Sequence, residues 1–142
     1  MRHLYLAATG QNRGKTTTSL GLVHAFVEAG LRTGFTKPVG QRTVTDESGV
    51  PADEDAVLMK AVFGLTDSND VMSPVHIPRG FTKAYIAGEV VEDLGARIRR
   101  AHAILADSKE LVLIEGTGHA GVGAVIGLSN AVVARLLEEV RG

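Results

Sequence analysis

The stretch Ala8-Thr9-Gly10-Gln11-Asn12-Arg13-Gly14-Lys15-Thr16-Thr17 follows a short apolar run and opens a segment of helical periodicity. That junction has a specific chemical use. A polyphosphate needs many donors close together and room for the chain to wrap around it. Glycine gives the room, successive backbone N–H groups form an anion nest, and the helix N-terminus adds a favourable dipole. Lys15 is then placed between the β- and γ-phosphates, and the Thr16 hydroxyl is placed to ligate Mg²⁺. The stretch therefore predicts nucleotide binding through Gly10, Gln11, Asn12, Arg13, Gly14, Lys15, Thr16 and Thr17. The common spacing G-x-x-x-x-G-K-S/T would put its first glycine at position 9, where Thr9 stands, with Gly10 one place late. The competing reading is a tight strand-to-helix turn with an exposed lysine.

On the N-terminal side, His3 to Ala8 reads as a buried first strand. On the C-terminal side, Leu20, Val23 and Val27 form a helical stripe that Leu22 and Phe26 widen and Gly30 stops. Thr33 to Val39 reads as a second strand closed by Pro38, which cannot donate within a central ladder. Gly40 to Ala52 is polar and aperiodic, hence a loop. Asp53, Glu54 and Asp55 precede a short helix, Ala56 to Phe63, with Gly64 just beyond it. Thr66 to Lys83, broken by Pro74, Pro78 and Gly80, is expected to be irregular.

Val90, Leu94, Ile98, Ala101 and Leu105 recur at three- and four-residue intervals, an amphipathic helix with Arg97, Arg99 and Arg100 on its solvated face. Leu111 to Ile114 is a compact apolar strand running into Glu115. Leu128, Val132, Val133, Leu136, Leu137 and Val140 line a last helix, with Ser129 near its start. Strands alternating with helices predict an α/β fold, a P-loop NTPase-like parallel sheet with helices on both faces. Residues 1–142 are expected to be a single nucleotide-binding domain.

The bulk numbers fit one soluble domain. The chain has 142 residues, enough for one hydrophobic core, with 44% apolar and 22% charged residues. A formal net charge of −1 gives no reason to expect nucleic acid or an anionic membrane as partner. No signal peptide or bilayer-spanning run is visible, so a cytoplasmic protein is the starting expectation. The absence of cysteine excludes disulfides, thiolate metal sites and a cysteine nucleophile.

Taken together, the first strand, the loop, Gly34-Phe35-Thr36-Lys37-Pro38-Val39 and Ile114-Glu115-Gly116-Thr117-Gly118 resemble the dethiobiotin synthetase-like group of P-loop proteins. The group includes dethiobiotin synthetase, the synthetase domains of cobyrinic acid a,c-diamide synthase and cobyric acid synthase, and the BioD-like N-terminal domain of some phosphate acetyltransferases. The resemblance runs from Leu4 to about Leu137 and is carried by three short motifs. It implies an ATP- and Mg²⁺-binding domain of a carboxylate- or carbamate-activating ligase. In such enzymes ATP phosphorylates the substrate, and an amine or ammonia attacks the mixed anhydride.

Carried over residue by residue, Lys15 would stabilise the transferring phosphoryl group and Lys37 would neutralise substrate or phosphate oxygens. Thr16, Asp55 and Glu115 would arrange Mg²⁺. The resemblance also implies a nucleotide and a small carboxylate or amine as ligands, and a homodimer or further domains beyond Gly142. Catalytic members continue with further strands and an adenine-binding segment, so the chain is expected to be the N-terminal portion of the fold. The alternative is a non-catalytic regulatory nucleotide-binding module of the BioD-like type. Without cysteine, the chain is not a self-contained glutamine-dependent amidotransferase.

Residue chemistry supports part of this independently. Mg²⁺ is usually held by one or two carboxylates plus phosphate oxygens and water. Glu115 ends a strand, where ligands bind in open α/β sheets. Asp55 has two readings, metal ligand or favourable charge in the first turn of a helix. Lys37 has two as well, phosphate contact or exposed strand-end lysine. Gly116-Thr117-Gly118-His119-Ala120-Gly121 spells the dinucleotide fingerprint G-x-G-x-x-G, but the acidic residue about twenty positions on, Glu138, falls inside a helical stripe rather than at a strand end. The loop is better read as a wall at the strand tips, with the amides of Gly116 and Gly118 facing a phosphate or anionic substrate. His119 is either a ligand contact or an exposed loop histidine.

Overall fold

Three parallel strands with aligned C-terminal ends organise the chain. The computed structural model describes residues 2–8, 14–45, 47–118 and 120–141. In chain order the elements begin with β1 (Arg2–Leu6), α1 (Lys15–Glu28), β2 (Thr33–Thr36), β3 (Val39–Gly40), β4 (Thr43–Thr45) and β5 (Pro51–Asp53). They continue with α2 (Glu54–Phe63), α3 (Asn69–Met72), β6 (Val75–His76), α4 (Phe81–Ile86) and α5 (Leu94–Asp107). The last are β7 (Leu111–Glu115), α6 (Ala120–Ala124) and α7 (Asn130–Glu138), followed by a 3₁₀ turn over Glu139–Arg141.

The main sheet has the order β1-β7-β2, all parallel. Leu6 lies opposite Glu115, and Thr36 opposite Ile114, so the three strands finish at one edge. Because β7 is flanked on both sides, alternate side chains enter different cores. Val112 and Ile114 pack with Ile98, Leu105, Val133 and Leu137. Leu113 faces the other way, with Val23, Phe35, Met59 and Met72. Helices thus cover both faces, and β7 reads as an unbroken apolar run because both its faces are buried.

β1 departs from the buried His3–Ala8 strand expected from its composition. It spans Arg2–Leu6, and Arg2 and Leu4 are exposed, Leu4 by 41%. Among the described residues it is paired on one side only, by β7, so one flank lacks cover. The second strand also ends earlier than Val39. Beyond Thr36 the Lys37 N–H turns to the Met72 carbonyl at 2.8 Å, and Val39–Gly40 pairs with β6 instead.

The segment expected to be a loop, Gly40 to Ala52, holds an antiparallel hairpin of β4 and β5. Three β-branched residues in a row, Thr43-Val44-Thr45, favour extended backbone, but all three are exposed and leave no alternating apolar trace. Thr66 to Lys83 is likewise more ordered than its prolines suggest, since it contains α3, β6 and the start of α4. Elements of two to six residues are shorter than the window in which periodicity can be read. The long helix begins at Leu94, with Val90 outside it, because the Asp93 carboxylate caps it by accepting from the Ala96 N–H at 3.0 Å. Among the described residues no helix is long and apolar enough to cross a membrane.

Candidate functional site

The edge where the strands end carries the site. Gly10, Gln11, Asn12 and Arg13 lie outside the described residues, as does His119. Gly14 precedes α1 with φ 74° and ψ 17°. This left-handed conformation suits glycine and turns the chain so that Lys15, Thr16 and Thr17 form the first helical turn. Their N–H groups belong to the set a helix leaves without intrahelical acceptors, the basis for anion binding there. Thr17 is exposed, while Lys15 and Thr16 are partly covered and turn toward the strand tips.

There they meet residues from two other segments. The Lys15 ammonium lies 3.3 Å from Glu115 Oε1 at the end of β7. The Thr16 hydroxyl donates to Asp55 Oδ1 at 3.2 Å. Lys37, directly after β2, reaches Asp55 Oδ2 at 2.5 Å and lies 3.5 Å from both Glu115 Oε1 and Asp53 Oδ1. Ser19 donates to Glu115 Oε2 at 2.7 Å. The lysine is 7% exposed, Asp55 9%, and Glu115 and Asp53 fully buried. The reading of Lys37 as an exposed strand-end lysine is therefore replaced by a buried ion cluster. Asp55 does sit in the first turn of α2, yet its side chain points to Thr16 and Lys37.

Two ammonium groups thus face three carboxylates. Burial pulls the Lys37 ammonium down, but Asp53, Asp55 and Glu115 around it prevail and hold it above the usual lysine range. Burial pushes Asp53 up further than Lys37 draws it down. Asp55 and Glu115 act as a pair. Burial raises both, their mutual hydrogen bond favours the proton on Glu115, and Asp55, also bonded to Lys37 and Thr16, ends below its ordinary value. Two carboxylates this close repel each other when both are ionised, and a hard cation between them relieves that repulsion.

The donor set, one hydroxyl and two carboxylates, fits Mg²⁺, which completes its shell with phosphate and water. Among the described residues no group of three or more His, Asp or Glu has the arrangement of an all-protein metal cage. A metal here would lean on its phosphate ligands.

The other wall is the turn after β7. Gly116 is buried and extends the ladder, its N–H donating to the Leu6 carbonyl at 2.8 Å, so this amide is taken up by the sheet instead of facing a phosphate as expected. Asn130, at the start of α7, accepts from the Thr117 N–H at 3.0 Å, the Thr117 hydroxyl at 3.3 Å and the Tyr5 hydroxyl at 3.2 Å. Gly118 follows at the mouth of the turn, half-buried. Glu138 is the last residue of α7, away from any strand end, so the dinucleotide fingerprint lacks its ribose partner.

Sequence reasoning missed Ser19, Asp53 and Asn130. Ser19 had a signal: it lies four residues after Lys15, on the same helix face, and breaks the apolar stripe with a hydroxyl. Asp53 and Asn130 gave none, because each touches its site across a tertiary contact.

The chain can be compared with known proteins on this basis. The AAA domain family matches residues 2–140. A phosphate acetyltransferase of Pseudomonas aeruginosa is 28% identical over 127 residues, covering 87% of this chain and 17% of that protein. An ATP-dependent dethiobiotin synthetase BioD of Pseudomonas aeruginosa is 30% identical over 120 residues, 83% of this chain and 52% of the synthetase. The corresponding enzyme of Thermodesulfovibrio yellowstonii is 25% identical over 116 residues, 80% and 48% of the two chains. The chain thus spans about half the length of these synthetases and a smaller part of the acetyltransferase. With the helix-opening Lys15-Thr16 pair, the buried Lys37 and the strand-end Glu115 all at one sheet edge, the chain belongs to the AAA domain family, as a P-loop nucleotide-binding domain of the dethiobiotin synthetase-like group.

Proposed function

We propose that the chain is the ATP- and Mg²⁺-binding domain of a carboxylate- or carbamate-activating ligase that forms a C–N bond. The observation that supports this best is the convergence of Lys15, Thr16, Lys37, Asp55 and Glu115 in one largely buried cluster at the strand ends. Lys15, rooted in the first turn of α1, offsets charge on the β- and γ-phosphates. Lys37 approaches from β2 and offsets charge on the transferring phosphoryl group and on an acceptor carboxylate beside it. Both ammonium groups act where burial strengthens their field. Thr16, Asp55 and Glu115 would hold Mg²⁺, which when bound draws charge from the phosphate oxygens. The Gly118 amide, in the turn after β7, lines the side from which an anionic acceptor enters.

The ligands in this reading are a nucleotide and a small carboxylate or amine, in a cytoplasmic protein that works as a homodimer or with further domains. Titration calorimetry with ATP and Mg²⁺ tests the core of it. Wild type should bind, and Lys15→Ala should weaken binding at least about tenfold, since a buried charge contact to phosphate is lost. Equal binding by both proteins would remove the proposal.

A second reading is a non-catalytic nucleotide-binding module inside a longer protein. It is favoured by the match to 17% of a phosphate acetyltransferase. It predicts nucleotide binding with no phosphate release in the presence of any carboxylate or carbamate acceptor.

A further inference from the structure

The ion cluster contains a carboxylate that has no place among the expected metal or phosphate contacts. Asp53 is fully buried and joins β5 to α2. Its Oδ1 accepts from the Asp55 N–H at 2.9 Å, and its Oδ2 accepts from the Gln41 N–H at 3.2 Å. The backbone N–H of Asp53 itself donates to the Ser73 hydroxyl at 2.9 Å. Gly40 presses against it so closely that a Cβ there would stand 2.8 Å from Asp53 Cβ and Oδ2. Main-chain donors and a tight wall therefore fix this negative charge in place.

Asp55 is held differently. Its oxygens meet the Thr16 hydroxyl and the Lys37 ammonium, side chains that can move. Lys37 lies 2.5 Å from Asp55 and 3.5 Å from Asp53, between a carboxylate that can be surrendered and one that cannot. A divalent cation bound at Asp55 would repel an ammonium at that distance, and in a buried cluster the repelled ammonium needs another anion within reach.

We propose that Asp53 is the positioning residue for Lys37: when a divalent cation takes Asp55, the ammonium of Lys37 shifts its pairing to the fixed carboxylate of Asp53. Without Asp53, Lys37 stays on Asp55 and competes with the cation. This inference rests on the magnesium-nucleotide reading of the site. The work of Asp53 is to draw Lys37 off Asp55, so that Asp55 and Glu115 are available to the metal.

The test compares wild type with Asp53→Asn and Asp53→Ser. Both replacements retain an oxygen able to cap α2, and both remove the charge. The probe is a non-hydrolysable ATP analogue, titrated calorimetrically with Mg²⁺ present and with EDTA, alongside thermal unfolding of the free proteins. Both variants should lose about tenfold or more in Mg²⁺-dependent affinity while nucleotide binding in EDTA changes by less than about twofold. In a Lys37→Met background, Asp53→Asn should change Mg²⁺-dependent affinity by less than about twofold, because the competing ammonium is gone.

A merely structural Asp53 would lower thermal stability and reduce both affinities in parallel, and that result overturns the proposal. So does an unchanged Mg²⁺ dependence in both charge-removing variants. A wild-type protein that binds no magnesium nucleotide overturns the functional reading beneath it instead, and this inference with it.

Discussion

His102 should make the fold sensitive to mild acid, through a contact with β1 and not through the ion cluster at the strand ends. It lies on α5, is 2% exposed, and faces the ring of His3 across β1 with centroids 5.5 Å apart. Neither of its ring nitrogens has a hydrogen-bond partner. Burial, with the neighbouring His3 adding to it, pulls its pKa from 6.5 down to about 4. The folded pKa is below the unfolded one, so the unfolded chain binds the extra proton first. Stability from this residue is therefore complete above the unfolded value, declines as pH falls below about 6.5, and is fully lost below about 4.

The whole shift corresponds to about 3 kcal/mol, of which about 2 kcal/mol disappears between about pH 7.5 and pH 5. Urea unfolding of wild type and His102→Leu at those two pH values isolates the effect, since the carboxylates titrate in both proteins. At neutral pH the leucine variant should be as stable or about 1 kcal/mol more stable, because two buried nitrogens without partners are removed. At the lower pH its advantage should widen by about 2 kcal/mol. If the two proteins lose the same stability between the two conditions, His102 does not titrate as a buried neutral imidazole and the reasoning fails.

Two further substitutions examine the frame of the site. Gly14→Ala, at φ 74°, should cost about 1 kcal/mol in chemical unfolding and weaken nucleotide binding, because the turn that aims α1 at the phosphates is strained. A variant with wild-type stability and affinity would show that the turn tolerates a side chain. Asn130→Ala removes the acceptor shared by Tyr5 and Thr117 and should cost about 2 kcal/mol, together with a loss of affinity for an anionic acceptor or phosphate. Unaltered unfolding by urea would show that Asn130 does not hold the turn after β7.

Legibility in the sequence followed the range of the interactions. The α/β order, β7 and the helices flanking it could be read because their signals are local: apolar runs, three- and four-residue recurrence, and a glycine at a helix end. The short pieces between residues 40 and 90 could not. The β4–β5 hairpin is polar on its exposed strand, and β3 and β6 are two residues each, stabilised by a partner thirty-six positions away along the chain. The burial of β1 is not legible either, because an apolar run does not say how many neighbours a strand has.

The site divides along the same line. Lys15 and Thr16 announce themselves, since a phosphate loop is a local motif with a fixed relation to its helix. Lys37, Asp55 and Glu115 were reached through the resemblance, and their own chemistry left Lys37 and Asp55 open between functional and ordinary roles. What the fold adds is position: β2 and β7 finish where α1 begins, so a lysine one residue past β2 and a glutamate at the tip of β7 meet the first turn of α1. Asp53 shows the limit of reading charge from a run of letters. In Asp53-Glu54-Asp55 the three acids look alike, yet Glu54 pairs with Arg42 at the surface, Asp55 faces Thr16 and Lys37, and Asp53 is locked to backbone donors beneath them. The middle residue of the run is the one without a part in the site, because a strand becomes a helix there and successive side chains leave in different directions.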